Sequence, residues 1–517
     1  MMGGNNKMLR TAGFMAAATF LAKICGLVRE SLITAYFGVG SNVDAYFAAS
    51  QLPTTLFDMV IGGVISASFI PVFNGIYEKE NKEKAMEFAN KFIAMILLAT
   101  LTLSVIGIVF SKQLITGLIA PEFSEETAAL ASTLSSVMFP MVIFTGIAFS
   151  FVGILQSFGE FNIPAIMSLV SNVAVIIYFP LFAKKFGIYG LSVTILISWS
   201  LQVIIQIPSL KKIGFKLKPV IDFRDKNIRQ ALALALPMLI STWVQPLYSL
   251  VNTRLASSAD GAVSVLNCSN RLYIVMTGVF SFVVTNLVFP RLSRTNAADD
   301  KDGARELVAG SLKAVTLVIL PIMAAFIILS EDVIGIIYQH GLFTREKTVI
   351  TASALSCYSV GMIGLAYNEV LSKAFFSMKN SKTPMVSAIV SMIANIIMAY
   401  VFYGYIGTAG LALATAGGSW VNAVINFAAY NRKNGRIFKK EDVSDVIKTV
   451  ISAALMSIVV YLLSELLEGR LEDNLTGYII DGIICGGFGI VAYFVSAYLI
   501  GVESLKSVIG GVVRGKK

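Results

Sequence analysis

The sequence predicts an all-α polytopic membrane protein, with 14 transmembrane helices forming two pseudo-symmetric six-helix lobes plus two C-terminal helices. Three observations predict it. First, the 517 residues are 56% apolar and only 14% charged, with a mean hydropathy of +0.76; soluble chains carry roughly 25% charge. Second, apolar stretches of about 20 residues, long enough to cross a hydrocarbon core of ~30 Å, recur along the whole length. Third, the chain repeats itself. Phe69-Ile70-Pro71-Val72-Phe73 returns as Val288-Phe289-Pro290-Arg291-Leu292, and Ser111-Lys112-Gln113-Leu114-Ile115 as Ser330-Glu331-Asp332-Val333-Ile334, both at an offset of 219. Pro164 and Gly190-Leu191 return as Pro384 and Gly410-Leu411 at 220, and Trp199 as Trp420 at 221. Two related bundles in one membrane chain are the signature of a transporter.

In order, the spans centre near Leu21, Val60, Leu98, Phe144, Val175, Leu196, Ile240, Val279, Val318, Met362, Ile393, Ala414, Ser457 and Gly487. Lys7 and Arg10 ahead of an Ala-rich run have the outline of a signal peptide. The stretch continues through Lys23 and Arg29 without a processing site, so a retained first helix is expected. Six spans precede the basic loop 211–229 and six more precede the loop 431–445. The expected lobes are therefore residues 1–221 and 222–440, with residues 441–517 supplying the last two spans. An even number of helices per repeat gives both halves the same orientation and an axis along the membrane normal, around a central cavity. Pro53, Pro237, Pro246 and Pro321 interrupt their spans, either as tolerated kinks or as hinges.

Charge sets the topology. If the spans alternate from a cytoplasmic N-terminus, the inside segments hold 30 of the 41 Lys and Arg residues and the outside loops hold six. That bias places both termini in the cytoplasm. The net charge of +10 is thus a topology signal and not a nucleic-acid footprint. Cys25, Cys268, Cys357 and Cys485 have no metal or redox spacing and read as packing residues. His340 is the sole histidine. No phosphate loop of the GxxxxGK[ST] form occurs, and Asp300-Lys301-Asp302 sits in a charged loop where solvation explains it better than metal chemistry. No cofactor or metal is expected, and the chain reads as a non-enzyme.

Charges inside spans cost at least ~2.5–3.5 kcal/mol each and normally face protein or a watery cavity. Lys23, Arg29, Glu30, Asp44, Asp58, Arg254, Arg271, Lys313 and Glu369 are such charges. Lys23 and Glu30, seven apart, share a helix face, and Arg29 points about 120° away. Asp44, Gln51 and Asp58 form a stripe at the same spacing. Counted from the helix ends at ~1.5 Å per residue, Arg29, Gln51 and Arg271 lie ~12–14 Å below the outer edge. Gln51 and Arg271 are also repeat mates at offset 220. Arg254 reads as snorkelling and Lys313 as interfacial; Arg29 is either a partner of Asp44 or Glu30 or a substrate contact. Cations in a cavity imply an anionic substrate, most simply a phosphate. In the fourteenth span Gly482, Gly486 and Gly489 line one face, leaving either a shallow channel or a close-packing seam against the thirteenth.

These residues resemble the MurJ/MviN lipid II flippases of the multidrug/oligosaccharidyl-lipid/polysaccharide exporter superfamily. The resemblance rests on Ala22-Lys23-Ile24-Cys25-Gly26-Leu27-Val28-Arg29-Glu30, on Phe37-Gly38, Asp44-Ala45-Tyr46-Phe47 and Leu52-Pro53, and on Ala67 to Phe73. It extends through Gln206 to Gly214, Asn270-Arg271-Leu272, Lys373-Ala374-Phe375-Phe376 and Lys382-Thr383-Pro384. It implies two six-helix lobes plus two helices, and lipid II, the undecaprenyl-pyrophosphate-linked peptidoglycan precursor, as cargo. It implies that Lys23, Arg29 and Arg271 contact the headgroup, that Asp44 is required, and that the last two helices hold the lipid tail. Lys23 replaces the family's commoner arginine; Phe57 and Ile274 stand where relatives carry an arginine and an acid. The expected function is alternating-access export of lipid II to the outer leaflet of the bacterial cytoplasmic membrane by a monomer, with the membrane potential or an unidentified ion as driver. A cation-coupled drug exporter and a flippase for another lipid-linked oligosaccharide remain as alternatives; an assay of drug efflux against lipid II export separates the first from this reading.

Overall fold

The computed structural model describes residues 2–57, 68–242, 244–283, 288–467 and 469–506. Every regular element among them is a helix. The chain divides into two compact units, Met1–Ser264 and Val265–Lys517.

The first unit runs through α1 (Met2–Phe37), α2 (Ser41–Phe57), α3 (Ile70–Lys79), α4 (Lys82–Val109), α5 (Ser111–Leu114) with a π-turn at Ile115–Ile119, and α6 (Glu125–Met138). It continues with α7 (Met141–Ser157), α8 (Asn162–Ile204), α9 (Ile207–Lys212), α10 (Lys226–Thr242) and α11 (Val244–Ala256). The unit boundary falls within α12 (Ala262–Val283). The second unit follows with α13 (Phe289–Ala297), α14 (Lys301–Ile328), α15 (Ser330–Tyr338), α16 (Arg345–Ser359), α17 (Met362–Ser377) and α18 (Lys382–Ile406). It ends with α19 (Thr408–Asn434), α20 (Lys440–Leu467) and α21 (Leu475–Ile500).

The sequence repeat reappears as a repeat of helix punctuation. Helix α4 is N-capped by Asn81, whose Oδ1 accepts from the Lys84 N–H at 2.9 Å. Its counterpart α14 is capped by Asp300, which accepts from the Gly303 N–H at 2.8 Å. Such caps satisfy N–H groups that a helix start leaves orphaned, so Asp300 is a capping residue. Gly187 breaks the long helix α8 with φ 54° and ψ −150°; Gly407, 220 residues later, separates α18 from α19 with φ 58° and ψ −137°. Side chains avoid that region and glycine does not. Left-handed backbone also recurs at Gly159 and Lys379, and at Gly214 and Gly435.

Among the described residues nine helical stretches are long and apolar enough to cross a membrane. The sequence leads to fourteen spans, and the difference falls at particular helices. Asn162–Lys212 is one stretch in which two expected spans meet at Gly187. The seventh expected span divides into α10 and α11, and Trp243 between them lies outside the described residues. Helix α2 has 17 residues, and residues 58–67 beyond it lie outside the described residues.

Each unit has its own packing. In the first, α1 lies against α8, α2 against α6, and α4 against α7. Phe69, Phe73, Phe88 and Phe92 form a ring cluster, with the Phe69 and Phe92 centroids 4.9 Å apart. Where α4 meets α6, a Cβ on Gly107 would fall 2.0 Å from the Phe139 ring, so only glycine fits. In the second unit α18 packs on α19, α20 on α21 and α14 on α20. Buried Asp445 accepts from the Glu503 N–H at 2.6 Å and the Ser504 N–H at 3.2 Å, fixing the chain beyond α21.

A second duplicated device fastens the connections. Lys91 on α4 holds Asp225 at 2.8 Å, Glu87 at 2.9 Å and Asp222 at 3.4 Å. Beside it Asn90 donates to the Lys216 carbonyl and accepts from the Lys218 N–H. In the second unit Lys313 on α14 holds Asp442 at 2.5 Å and Lys439 holds Glu306 at 2.9 Å. Lys313, which the sequence places near the membrane interface, has Asp442 as its ion-pair partner.

Candidate headgroup site

Arg29 is held on α1 by two different partners. Its Nη2 donates to Glu30 Oε1 at 2.7 Å and its Nη1 to Asn172 Oδ1 at 3.0 Å. Asn172, on α8, also donates to the Ala22 carbonyl at 3.1 Å. One amide thus spans the α1–α8 seam and fixes the guanidinium. A Cβ on Gly26 would lie 3.6 Å from the Asn172 Nδ2, an ordinary contact. The Arg29 side chain is 20% exposed, and its Nε finds no hydrogen-bond partner among the described residues. A guanidinium fixed by two partners, with one buried donor still unused, suits a phosphate oxygen that reaches it.

Lys23 sits half-buried on the same helix. Asp44, by contrast, is 1% exposed. Its Oδ2 accepts from the Gly261 N–H and its Oδ1 from the Ser264 N–H, both at 2.7 Å; Oδ1 also accepts from the Ser264 hydroxyl. Burying a carboxylate is costly unless donors replace water, and the start of α12 supplies three. Nearby the Ser41 hydroxyl donates to Asp260 Oδ1 at 2.6 Å. Ser41 and Asp260 are 219 apart and Asp44 and Ser264 are 220 apart, so repeat mates hold one another reciprocally at the heads of α2 and α12. Gln51 donates from Nε2 to Ser249 Oγ at 3.0 Å, tying α2 to α11.

Arg271 lies half-buried on α12, nine residues past its first residue, and Ile274 one turn on is 40% exposed. Arg254 donates to the Gly117 carbonyl at 2.9 Å, which anchors α11 to the π-turn. Glu369 faces Lys373 at 3.8 Å. Asp58 lies outside the described residues, as does the side chain of Phe57. The glycines of α21 part company. A Cβ on Gly489 would meet Val460 at 2.6 Å and one on Gly482 would meet Ile336 at 3.3 Å, whereas Gly486 has nothing within 4 Å. Cys485, read as a packing residue, is buried and also donates to Asp481 at 2.9 Å.

Sequence reasoning missed Asn172 and Ser264. The signal for the first was present: an amide in the middle of an apolar span needs a partner. Ser264 carried no such mark. No group of three or more His, Cys, Asp or Glu side chains that could hold a metal ion occurs among the described residues.

The apolar helices, the repeat and the half-buried cations define a multi-pass α-helical membrane transporter. The family model described as lipid II flippase MurJ matches residues 33–475. The chain belongs to that family. It is 27% identical to a protein of Rhizobium meliloti (strain 1021) described as a probable lipid II flippase MurJ, covering 97% of this chain and 95% of the relative. It is 26% identical to the lipid II flippase MurJ of Burkholderia cenocepacia, over 82% of this chain and 83% of that protein. A solved lipid II flippase MurJ in an inward closed conformation superposes with a TM-score of 0.79 at 26% identity, covering 94% of this chain and 98% of that one. An inward-facing multidrug resistance MATE transporter superposes at 0.67 with 14% identity, a likeness of fold alone.

Proposed function

We infer that this chain is a lipid II flippase of the bacterial cytoplasmic membrane, moving the undecaprenyl-pyrophosphate-linked peptidoglycan precursor to the outer leaflet. The observation that carries the reading is the family match over residues 33–475. The chemistry agrees with it. Arg29, Lys23 and Arg271 offer positive charge to a pyrophosphate headgroup. Asn172 and Glu30 orient Arg29. Asp44 acts one step back, by fixing the head of α12, the helix that carries Arg271; Gln51 acts similarly through Ser249. Gly486 leaves room for polyprenyl tail along α21. The working cycle is alternating access by a monomer, with both termini cytoplasmic. A pyrophosphate moving outward from a negative interior gains ~2.3 kcal/mol per charge per 100 mV if uncompensated, so the membrane potential is the expected driver.

The test is replacement of the native gene by Arg29→Ala or Arg271→Ala, with lipid II measured in each leaflet. Each removes a charge-assisted hydrogen bond of about 1.5–3 kcal/mol. Export should stop while a folded protein remains in the membrane, and Lys23→Arg should be tolerated. Normal outer-leaflet lipid II with Arg271→Ala would refute the assignment of that residue; normal lipid II distribution after depletion of the whole protein would refute the function.

A further inference from the structure

One cavity of the second unit is built from cations and shares no residue with the candidate headgroup site. It measures about 490 Å³ and is lined by Arg305 of α14, by Arg436, Phe438 and Lys439 between α19 and α20, and by Lys440 and Val443 at the start of α20. Two of the four charges are balanced: Arg305 pairs with Asp302, and Lys439 with Glu306. Arg436 and Lys440 form no ion pair among the described residues. The cavity therefore carries uncompensated positive charge.

Its shape depends on a specific backbone choice. Gly435 adopts φ 85°, and a Cβ there would lie 2.8 Å from Arg305 Nη1. Glycine thus lets the guanidinium reach under the connection into the cavity. The opening of α20, a 28-residue helix, adds the positive end of its dipole, with Glu441 and Asp442 in its first turn and Asp442 already engaged by the Lys439 N–H and Lys313. Phe438 and Val443 give the cavity an apolar flank. In the equivalent connection of the first unit Asn90 takes up the backbone at Lys216 and Lys218, and Lys91 holds Asp222 and Asp225.

Planar guanidinium groups bind phosphate oxygens bidentately, and ammonium groups add point charge. Basic pockets between membrane helices on the lysine- and arginine-rich side receive phosphate headgroups. We propose that this cavity binds a phosphate-bearing anion, held by Arg436 and Lys440 with Arg305 at its floor. The proposal is independent of the flippase reading, since none of these residues belongs to the headgroup site.

The test uses the full-length protein in neutral detergent. Inorganic phosphate is titrated in one arm and phosphatidylglycerol in mixed micelles in the other, with phosphatidylcholine as the reference lipid; bound ligand is counted by native mass spectrometry. Arg436 and Lys440 are exposed, so Arg436→Gln/Lys440→Gln should unfold at the same temperature as wild type without ligand. At ~1 kcal/mol per basic residue, the double variant should bind about 30-fold more weakly. Saturable binding of phosphatidylglycerol alone, lost in the variant, identifies a lipid headgroup. Saturable binding of inorganic phosphate, lost in the variant, identifies a soluble anion. Equal affinity of variant and wild type, equal binding of phosphatidylcholine, or no saturable binding in either arm overturns the proposal.

Discussion

A single carboxylate shows how burial sorts function at the residue scale. Asp44 is a charge in an apolar helix, which invites a direct role in recognising cargo. Its oxygens are nonetheless engaged by Gly261 and Ser264. Asp44→Asn keeps the size of the side chain but turns one acceptor into a donor that faces the Gly261 N–H. Leaving such a group unsatisfied costs about 1–3 kcal/mol. We expect the variant to unfold at lower temperature, by detergent-solubilised thermal unfolding, and to lose export in proportion. Undiminished stability together with lost export would instead place Asp44 in contact with cargo. Arg29 presents the opposite case. Asn172 and Glu30 engage its Nη1 and Nη2, and its buried Nε has no partner among the described residues, so its charge is held in place with one donor unused.

Two elements respond differently to the same substitution. On α21, leucine at position 489 would collide with Val460, and overpacking of this kind costs roughly 1–3 kcal/mol. Leucine at position 486 would enter open space. Gly489→Leu should therefore lower the amount of folded protein in the membrane, whereas Gly486→Leu should leave it unchanged and slow export. Normal export by Gly486→Leu would remove the tail groove from the mechanism. The connection ahead of α10 carries a pH dependence. Burial disfavours the charged form of Asp225, but the hydrogen bond from Lys91 and the N–H groups of Ile228 and Asn227 outweigh it and hold the carboxyl below its ordinary range. A folded pKa below the unfolded value of about 3.9 contributes stability above that value and loses it as pH falls through the folded pKa. Thermal unfolding should thus show a loss between neutral and strongly acidic pH that Asp225→Asn diminishes. The effect is small, about 1 kcal/mol or less, because the pair is partly solvated.

Orientation belongs to the whole molecule. The lysine and arginine bias expects cysteines substituted at Ser258 and Thr408, in a background lacking the four native cysteines, to be labelled from outside intact cells, and one at Asn434 to be protected. Labelling at position 434 would reverse the topology. The apolar stretches and the repeat made the fold class legible from sequence, and cost arguments drew Lys23, Arg29, Arg254, Arg271 and Lys313 out of 41 basic residues. What stayed hidden depended on partners distant along the chain. Lys91 and Asp225 are 134 residues apart and Asp44 and Ser264 are 220 apart, and no local pattern announces either pair. The three glycines of α21 look alike in sequence; only their neighbours decide which one faces open space.

The paired left-handed turns also bear on the history of the chain. At one repeat position the first copy has Gly159 and the second has Lys379, yet both keep φ positive, 76° and 56°. A side chain in that region costs roughly 1–2 kcal/mol, so drift has altered the letter and left the bend. Internal duplication in this molecule is recorded more durably in its backbone angles than in its alphabet, and diverged halves of other membrane chains can be aligned by such angles when their residues no longer match.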